Sequence, residues 1–163
     1  MEPLKKRNLL IANITAIASF VVTFVLCAVF GWIDVVGYLF SPSGENIGQV
    51  FKMPPTYTIV CLLFFAVLCA LVIFGIILKN KLMCLLAASY ELIFIIAFIL
   101  FCLFVTGNIT NETVFTAVMY FLTAVLIPVY GIMWHIGAFF FLLFIPLVIA
   151  NIVGIVKAFK KKK

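Results

Sequence analysis

Four long runs almost free of charged side chains constrain this chain more than any other feature of its sequence. They cover residues 9–33, 57–78, 82–105 and 114–156, and Glu91 is the only Asp, Glu, Lys or Arg in them. Each run exceeds the roughly 20 apolar residues that a helix needs to cross the hydrocarbon core of a bilayer. Of the 163 residues, 67% are hydrophobic, more than a soluble chain this short could bury. The sequence predicts an all-α integral membrane protein, a bundle of four to five transmembrane helices with short loops.

The division into helices follows the turn residues between and inside these runs. Residues 114–156 would form a helix about 65 Å long, twice the hydrocarbon thickness of ~30 Å, so we expect a break where Pro128, Gly131, His135 and Gly137 cluster. The first run follows basic residues as a signal peptide does, but its length favours a retained helix. A single membrane domain is predicted, with helices 9–31, 57–78, 82–105, 114–132 and 136–156, an interfacial segment in loop 32–56, and a basic tail at 157–163.

The basic residues flank the apolar runs, which is typical of anchors facing an anionic membrane surface and not of a nucleic-acid-binding protein. The predicted anchors are Lys5, Lys6, Arg7, Lys79, Lys81, Lys160 and Lys161. An even number of crossings would put 10 basic residues on the cytoplasmic side against one, Lys52, whereas an odd number would put 5 against 6. Charge therefore favours an even number and helix length favours five. Helix 114–132 would reconcile the two by lying at the outer interface or packing obliquely.

Glu91 is the strongest candidate for a functional residue inside the predicted membrane region. It lies nine residues past Leu82, or about 13 Å into its helix. A charged carboxylate near the bilayer centre costs about 2.5–3.5 kcal/mol on insertion scales. Glu91 is therefore expected to form an ion, proton or ligand site, or to be a neutral carboxyl bonded to a hydroxyl or amide on another helix.

His135 is the single histidine and completes the candidate intramembrane polar site. Beside Trp134, at the break in the last run, it fits a residue at the membrane interface. The alternative is a buried acid–imidazole pair with Glu91 that could relay protons.

Small residues recur at helical spacing on the first and last helices and predict faces for close helix packing. The first face comprises Ala12, Ala16, Ser19 and Thr23, and the second includes Ala150 and Gly154. Both faces favour cohesion within the bundle, with homodimerisation as the alternative. Asn13 and Asn151 are expected to hydrogen-bond within the bundle.

Motifs for catalysis or metal binding are missing from the sequence. It contains no HExxH, GxSxG or Gly-rich phosphate loop, and its five cysteines have no metal-site spacing. We therefore expect no enzymatic activity, no cofactor and no metal.

These features favour a small membrane protein that acts through contacts with other membrane proteins, or with itself, or as an accessory subunit in the bilayer. The main alternative is a small channel or proton-linked transporter that uses Glu91. Immunity-like and holin-like proteins are further alternatives by analogy of size and charge. The expected location is the cell membrane, with the bacterial plasma membrane favoured by the short loops. In a eukaryote, Lys160 and Lys161 would match a dilysine signal of the endoplasmic reticulum.

Overall fold

The fold consists of helices throughout the described part of the chain. A computed structural model describes residues 2–31, 55–106, 112–136 and 139–160. The five helices are α1 (Glu2–Gly31), α2 (Pro55–Leu78), α3 (Lys81–Val105), α4 (Glu112–Ile136) and α5 (Phe139–Phe159). Residues 32–54, which hold the interfacial segment expected in loop 32–56, lie outside the described residues. The last two residues of that loop, Pro55 and Thr56, begin α2.

Among the described residues, four helices are long and apolar enough to cross a membrane. These segments are Arg7–Gly31 in α1, Pro55–Leu78 in α2, Lys81–Leu100 in α3 and Phe139–Phe159 in α5. Their outward faces carry large apolar side chains, such as Leu10, Ile77 and Leu142, which are 59%, 66% and 64% exposed. The helices of the described residues confirm the predicted all-α fold, with four helices apolar enough to span a membrane.

The turn between α2 and α3 is closed by hydrogen bonds that end one helix and begin the next. Lys79 adopts a left-handed conformation with a φ of 51°, and the Asn80 amide donates to the Gly75 carbonyl at 2.9 Å. This is a Schellman ending of α2. The Asn80 side-chain oxygen then accepts from the Leu82 amide at 3.0 Å, which caps the start of α3.

The same turn is tied to α1. Asn80 Nδ2 donates to Asn13 Oδ1 at 2.6 Å, so the expected hydrogen bond of Asn13 within the bundle is present. At the other end of these helices, Gly31 of α1 lies against Tyr57 near the start of α2. The first three helices therefore alternate in direction along the bundle.

The core lies around α2, which packs against all four other helices. Aromatic rings fill much of it: the ring centroids of Phe64 and Tyr90 lie 4.9 Å apart, and those of Phe94 and Phe144 lie 4.6 Å apart. By contrast α1 is peripheral. Among its residues with described side chains, only Ala16, Cys27 and Gly31 are buried.

α5 returns to the end of the bundle that holds the α2–α3 turn. The Lys81 ammonium lies 4.4 Å from the centroid of the Phe159 ring in the last turn of α5. We call this the basic end, because its exposed side chains include Arg7, Lys79, Lys81, Lys157 and Lys160. The opposite end, marked by Gly31 and Tyr57, is the far end.

α4 packs at the far end and contains Pro128 without a break. It continues to Ile136, so the interruption in the last apolar run falls after that residue, later than position 132 where the sequence suggested it. Ile127 lies against Gly31 of α1, and Gly131 lies against Thr58 and Cys61 of α2. This part of α4 is therefore held by the ends of α1 and α2 that are farthest from the basic end.

Candidate functional site

Glu91 on α3 and Asn151 on α5 form a buried polar pair between two helices. Asn151 Nδ2 donates a hydrogen bond to Glu91 Oε2 at 2.8 Å. The two side chains are 3% and 0% exposed. The hydrogen bond expected for Asn151 within the bundle is present, and its partner is the one carboxyl in the apolar runs.

The pair leaves two buried oxygen atoms without a hydrogen bond. They are Glu91 Oε1 and Asn151 Oδ1, one from each partner of the same interaction. A buried polar atom left unsatisfied costs about 1–3 kcal/mol. Two such atoms in one contact indicate a site that is incomplete in hydrogen bonding.

Close packing on the side toward the basic end limits the space around this pair. A Cβ atom added to Gly154, one turn after Asn151, would lie 2.7 Å from Ile76 Cγ1 and 3.3 Å from Cys84 Sγ. One added to Gly75 would lie 2.6 Å from Cys84 Sγ. The two glycines therefore let α2, α3 and α5 approach closely at Cys84.

Aromatic rings close the other side. Phe94, three residues after Glu91, packs on Phe144, which lies two turns before Asn151. Both rings are buried. The polar pair thus lies between a layer of aromatic rings and a layer of small residues.

His135 lies in the last turn of α4, and its side chain is outside the described residues. The pairing of His135 with Glu91 stays a prediction. What the structure gives is an amide partner for one oxygen of the Glu91 carboxyl.

The small residues of α1 line a groove between α1 and α2. This groove, which we call the α1–α2 groove, has a volume of about 410 Å³. Its lining includes Ala12, Thr15, Ala16 and Ser19 from α1 and Ala70 and Phe74 from α2. Thr23, the last residue of the predicted face, does not line it and instead donates a hydrogen bond to the Ser19 carbonyl at 2.7 Å.

Two hydroxyl groups in this groove make no hydrogen bond within the described part of the chain. They belong to Thr15, which is exposed, and to Ser19, which is half-buried. Bonding to a carbonyl of the preceding turn is open to both, as Thr23 shows, but neither uses it. The groove is therefore apolar with two available polar groups.

The small residues of α5 are used inside the bundle. Gly154 is buried against α2 and α3, and Ala150 is half-buried against the core. The predicted face on α5 is therefore turned toward other helices of the same chain.

The predicted anchors with described side chains are exposed and gather at the basic end: Arg7, Lys79, Lys81 and Lys160. The side chains of Lys5, Lys6 and Lys161 lie outside the description. Within the described ranges, no three His, Cys, Asp or Glu side chains come together as a metal-ion site.

Two tyrosines that the sequence analysis did not single out hold the backbone of α4. Tyr57 donates from its hydroxyl to the Ile127 carbonyl, and Tyr90 donates to the Val125 carbonyl at 3.2 Å. Both carbonyls lie in the turn before Pro128, next to the Ala124 carbonyl that has no donor from the proline. In the sequence, the signal for these contacts was a proline inside one apolar run together with a tyrosine in each of two other runs.

No known protein family, curated protein or solved structure matches this chain.

Proposed function

We propose that this chain is a non-catalytic integral membrane protein that binds a transmembrane helix of another membrane protein in the α1–α2 groove. The observation that carries the proposal is the groove itself, with its small residues and its two unpaired hydroxyls. The chain would act as an accessory subunit of that partner. We expect it in the cell membrane, the bacterial plasma membrane above all.

The outward surface supports a membrane location. Ile14 and Ile77, on different helices, are 58% and 66% exposed, and Phe139 is 70% exposed. In water each exposed Å² of such surface costs about 25 cal/mol, whereas acyl chains of lipid solvate it at no such cost. Surfaces this apolar on a small protein indicate a lipid environment.

A helix fits the groove better than an acyl chain does. Ala12 and Ala16 allow another backbone to come close, and close approach is the main source of helix association in lipid. An acyl chain offers no group that could hydrogen-bond to Thr15 and Ser19, whereas a polar side chain on a helix does. The groove also favours a partner from outside the chain because α1 is the most peripheral of the helices.

The position of the groove suggests the chemistry of its partner. Leu78 and Met83 line one part of it, so it reaches the α2–α3 turn beside Lys79. Arg7 of α1 is exposed at the same end. We therefore expect the partner helix to carry small residues along one face and a carboxylate where it meets the basic end.

Photo-crosslinking from the groove tests the proposal. A photoreactive phenylalanine analogue would replace Phe74, which lines the groove and is 52% exposed. The expected product is an adduct with a transmembrane segment of a different protein, identified by peptide mapping. The same analogue at Phe139, which does not line the groove, should not give that adduct.

A bulky side chain in the groove provides the second arm. Ser19→Leu should abolish the adduct from position 74, and Val22→Leu on the exposed side of the same helix should leave it unchanged. An adduct with lipid alone, or with a second copy of this chain, contradicts the proposal. So does an adduct that survives Ser19→Leu.

A proton-linked transporter or channel centred on Glu91 is the second candidate, favoured by the unpartnered Oε1 of this buried carboxyl. It predicts that purified protein in vesicles carries a proton or ion flux and that Glu91→Gln abolishes it. Glu112→Gln, at the start of α4, serves as the control. A flux unchanged by Glu91→Gln rules this candidate out.

A further inference from the structure

One cause can explain why both Glu91 Oε1 and Asn151 Oδ1 lack a hydrogen-bond partner. A carboxylate can only accept hydrogen bonds, and a carboxamide has one accepting oxygen and one donating NH₂ group. Once Asn151 Nδ2 donates to Glu91 Oε2, the remaining atoms of the contact, Oε1 and Oδ1, are both acceptors. Neither can satisfy the other unless a hydrogen atom is supplied between them.

We infer that this site binds one proton, carried on Glu91 Oε1 and donated to Asn151 Oδ1. The product is a neutral carboxyl–carboxamide pair with two hydrogen bonds in a ring, in which every polar atom has a partner. The inference concerns the resting state of the pair. It stands whether or not protons cross the bundle and whether or not the α1–α2 groove holds a partner.

A proton fits the site better than a metal cation does. Calcium takes six to eight oxygen ligands and magnesium about six, whereas this contact offers two free oxygens. No cluster of three ligating residues exists in the described part of the chain. The close packing at Gly75, Gly154 and Cys84 also leaves little room for the water shell of a cation.

The groups around the pair supply no opposite charge. Cys69 on α2 and Cys84 on α3 lie near Glu91, and a thiol carries no positive charge. The described Lys and Arg side chains are exposed at the basic end, and none of them pairs with Glu91. The side chain of His135 on α4 is outside the described residues. A His135→Ala variant therefore tests whether this imidazole affects Glu91.

Infrared spectroscopy of the purified full-length protein tests the inference directly. A protonated carboxyl and a carboxylate absorb at distinct frequencies, and the four glutamates can be labelled together with ¹³C to identify their bands. At neutral pH we expect a labelled band of a hydrogen-bonded carboxylic acid. It should be absent in Glu91→Gln, present in Glu112→Gln, and shifted toward the frequency of a free acid in Asn151→Leu.

Thermal unfolding provides a readout that does not depend on the band assignment. Glutamine at position 91 can make both hydrogen bonds to Asn151 without a proton, so Glu91→Gln should unfold at the wild-type temperature at neutral pH. As the pH rises, the wild type should lose its acid band and its unfolding temperature together, while Glu91→Gln loses less. His135→Ala should keep the wild-type behaviour.

Three results would overturn the inference. The first is a labelled carboxylate band and no acid band at neutral pH, which would mean that a water molecule bridges the two oxygens. The second is an acid band that disappears when sodium is added at constant pH, which would make the site a cation site. The third is a wild-type protein whose acid band and stability do not change together with pH. If Glu91→Gln fails to fold, the wild-type titration alone still decides between these results.

Discussion

Individual hydroxyl groups fix the backbone of α4 where a proline weakens it. Pro128 has no N–H group, so the carbonyl that loses its helical donor is that of Ala124, four residues earlier. Tyr90 and Tyr57 donate from α3 and α2 to the neighbouring carbonyls of Val125 and Ile127, and both side chains are buried. The two tyrosines therefore tie the turn of α4 before Pro128 to α2 and α3.

Removing either hydroxyl should therefore destabilise the bundle. We expect Tyr90→Phe to lower the free energy of unfolding by about 0.5–1.5 kcal/mol, the usual net contribution of one hydrogen bond. Tyr57→Phe should cost less than the full amount, because Cys61 Sγ also lies 3.6 Å from the Ile127 carbonyl. Unfolding in a denaturing detergent, followed by circular dichroism, measures both changes.

Ser89→Ala provides the control for the tyrosine variants. Its hydroxyl donates to the Leu86 carbonyl, but on the exposed face of α3. The change in stability should stay within about 0.5 kcal/mol, as for most surface substitutions. Equal losses for Ser89→Ala and Tyr90→Phe would contradict the role assigned to the tyrosines.

At the scale of elements, one asparagine joins three helices. Asn80 ends the turn after α2, caps α3 and binds Asn13 of α1. Asn80→Ala should remove the cap and the tie to α1, whereas Asn13→Ala should remove only the tie. We expect a loss of about 1–2 kcal/mol for Asn80→Ala from the cap alone, and a smaller loss for Asn13→Ala.

Asn8→Ala is the matched control on α1, since Asn8 is exposed. It should leave the unfolding free energy unchanged. If Asn13→Ala proves as costly as Asn80→Ala, the cap contributes nothing and the tie to α1 carries the whole effect.

The close approach of α5 to α2 depends on the absence of a side chain at Gly154. A leucine there must displace Ile76, so Gly154→Leu should destabilise the bundle by about 1–3 kcal/mol or more. Val153→Leu, on the exposed side of the same turn, should be close to neutral. An adduct between position 74 and a partner should survive in any folded Gly154 variant, since this glycine does not line the α1–α2 groove.

How much of this arrangement the sequence could predict depends on the kind of feature. The length of each apolar run predicted the helices, and Lys79 and Asn80 predicted the tight turn. The partner of Glu91 could not be chosen between helices, because α3 and α5 are apolar on all sides. A helix that is apolar all round carries no periodic signal for the face it turns inward. Asn151 was expected to bond within the bundle, but only the rotation of α5 brings it to Glu91.

The same limit applies to the two faces of small residues. Ala12 and Gly154 looked equivalent in the sequence, yet one lines an open groove and the other is buried against α2. Spacing alone predicts that a helix can be approached closely. It does not predict whether the approaching helix belongs to the same chain.

For the whole molecule, the distribution of charge follows the geometry of the bundle. The first turns of α1, the α2–α3 turn and the end of α5 meet at the basic end. The hydrogen bond between Asn13 and Asn80 and the contact of the Lys81 ammonium with the Phe159 ring show this. The described basic side chains are exposed there. In a cell membrane, such a surface is retained on the cytoplasmic side and attracted to anionic lipids.

This arrangement predicts that both ends of the described chain face the cytoplasm. A reporter that is active only in the cytoplasm, fused after Lys163, should be active, and one that requires export should be silent. The reason is that α5 ends beside Lys81. The α2–α3 turn and the lysine tail must therefore lie on the same side of the membrane. Fusions after Lys81 and after Thr106 calibrate the two sides, since they lie at the two ends of α3.

Activity of the exported reporter at Lys163 would place the end of α5 across the membrane from the α2–α3 turn. The contact between Lys81 and Phe159 could not then form, and α4 would have to cross the bilayer completely instead of packing at the far end.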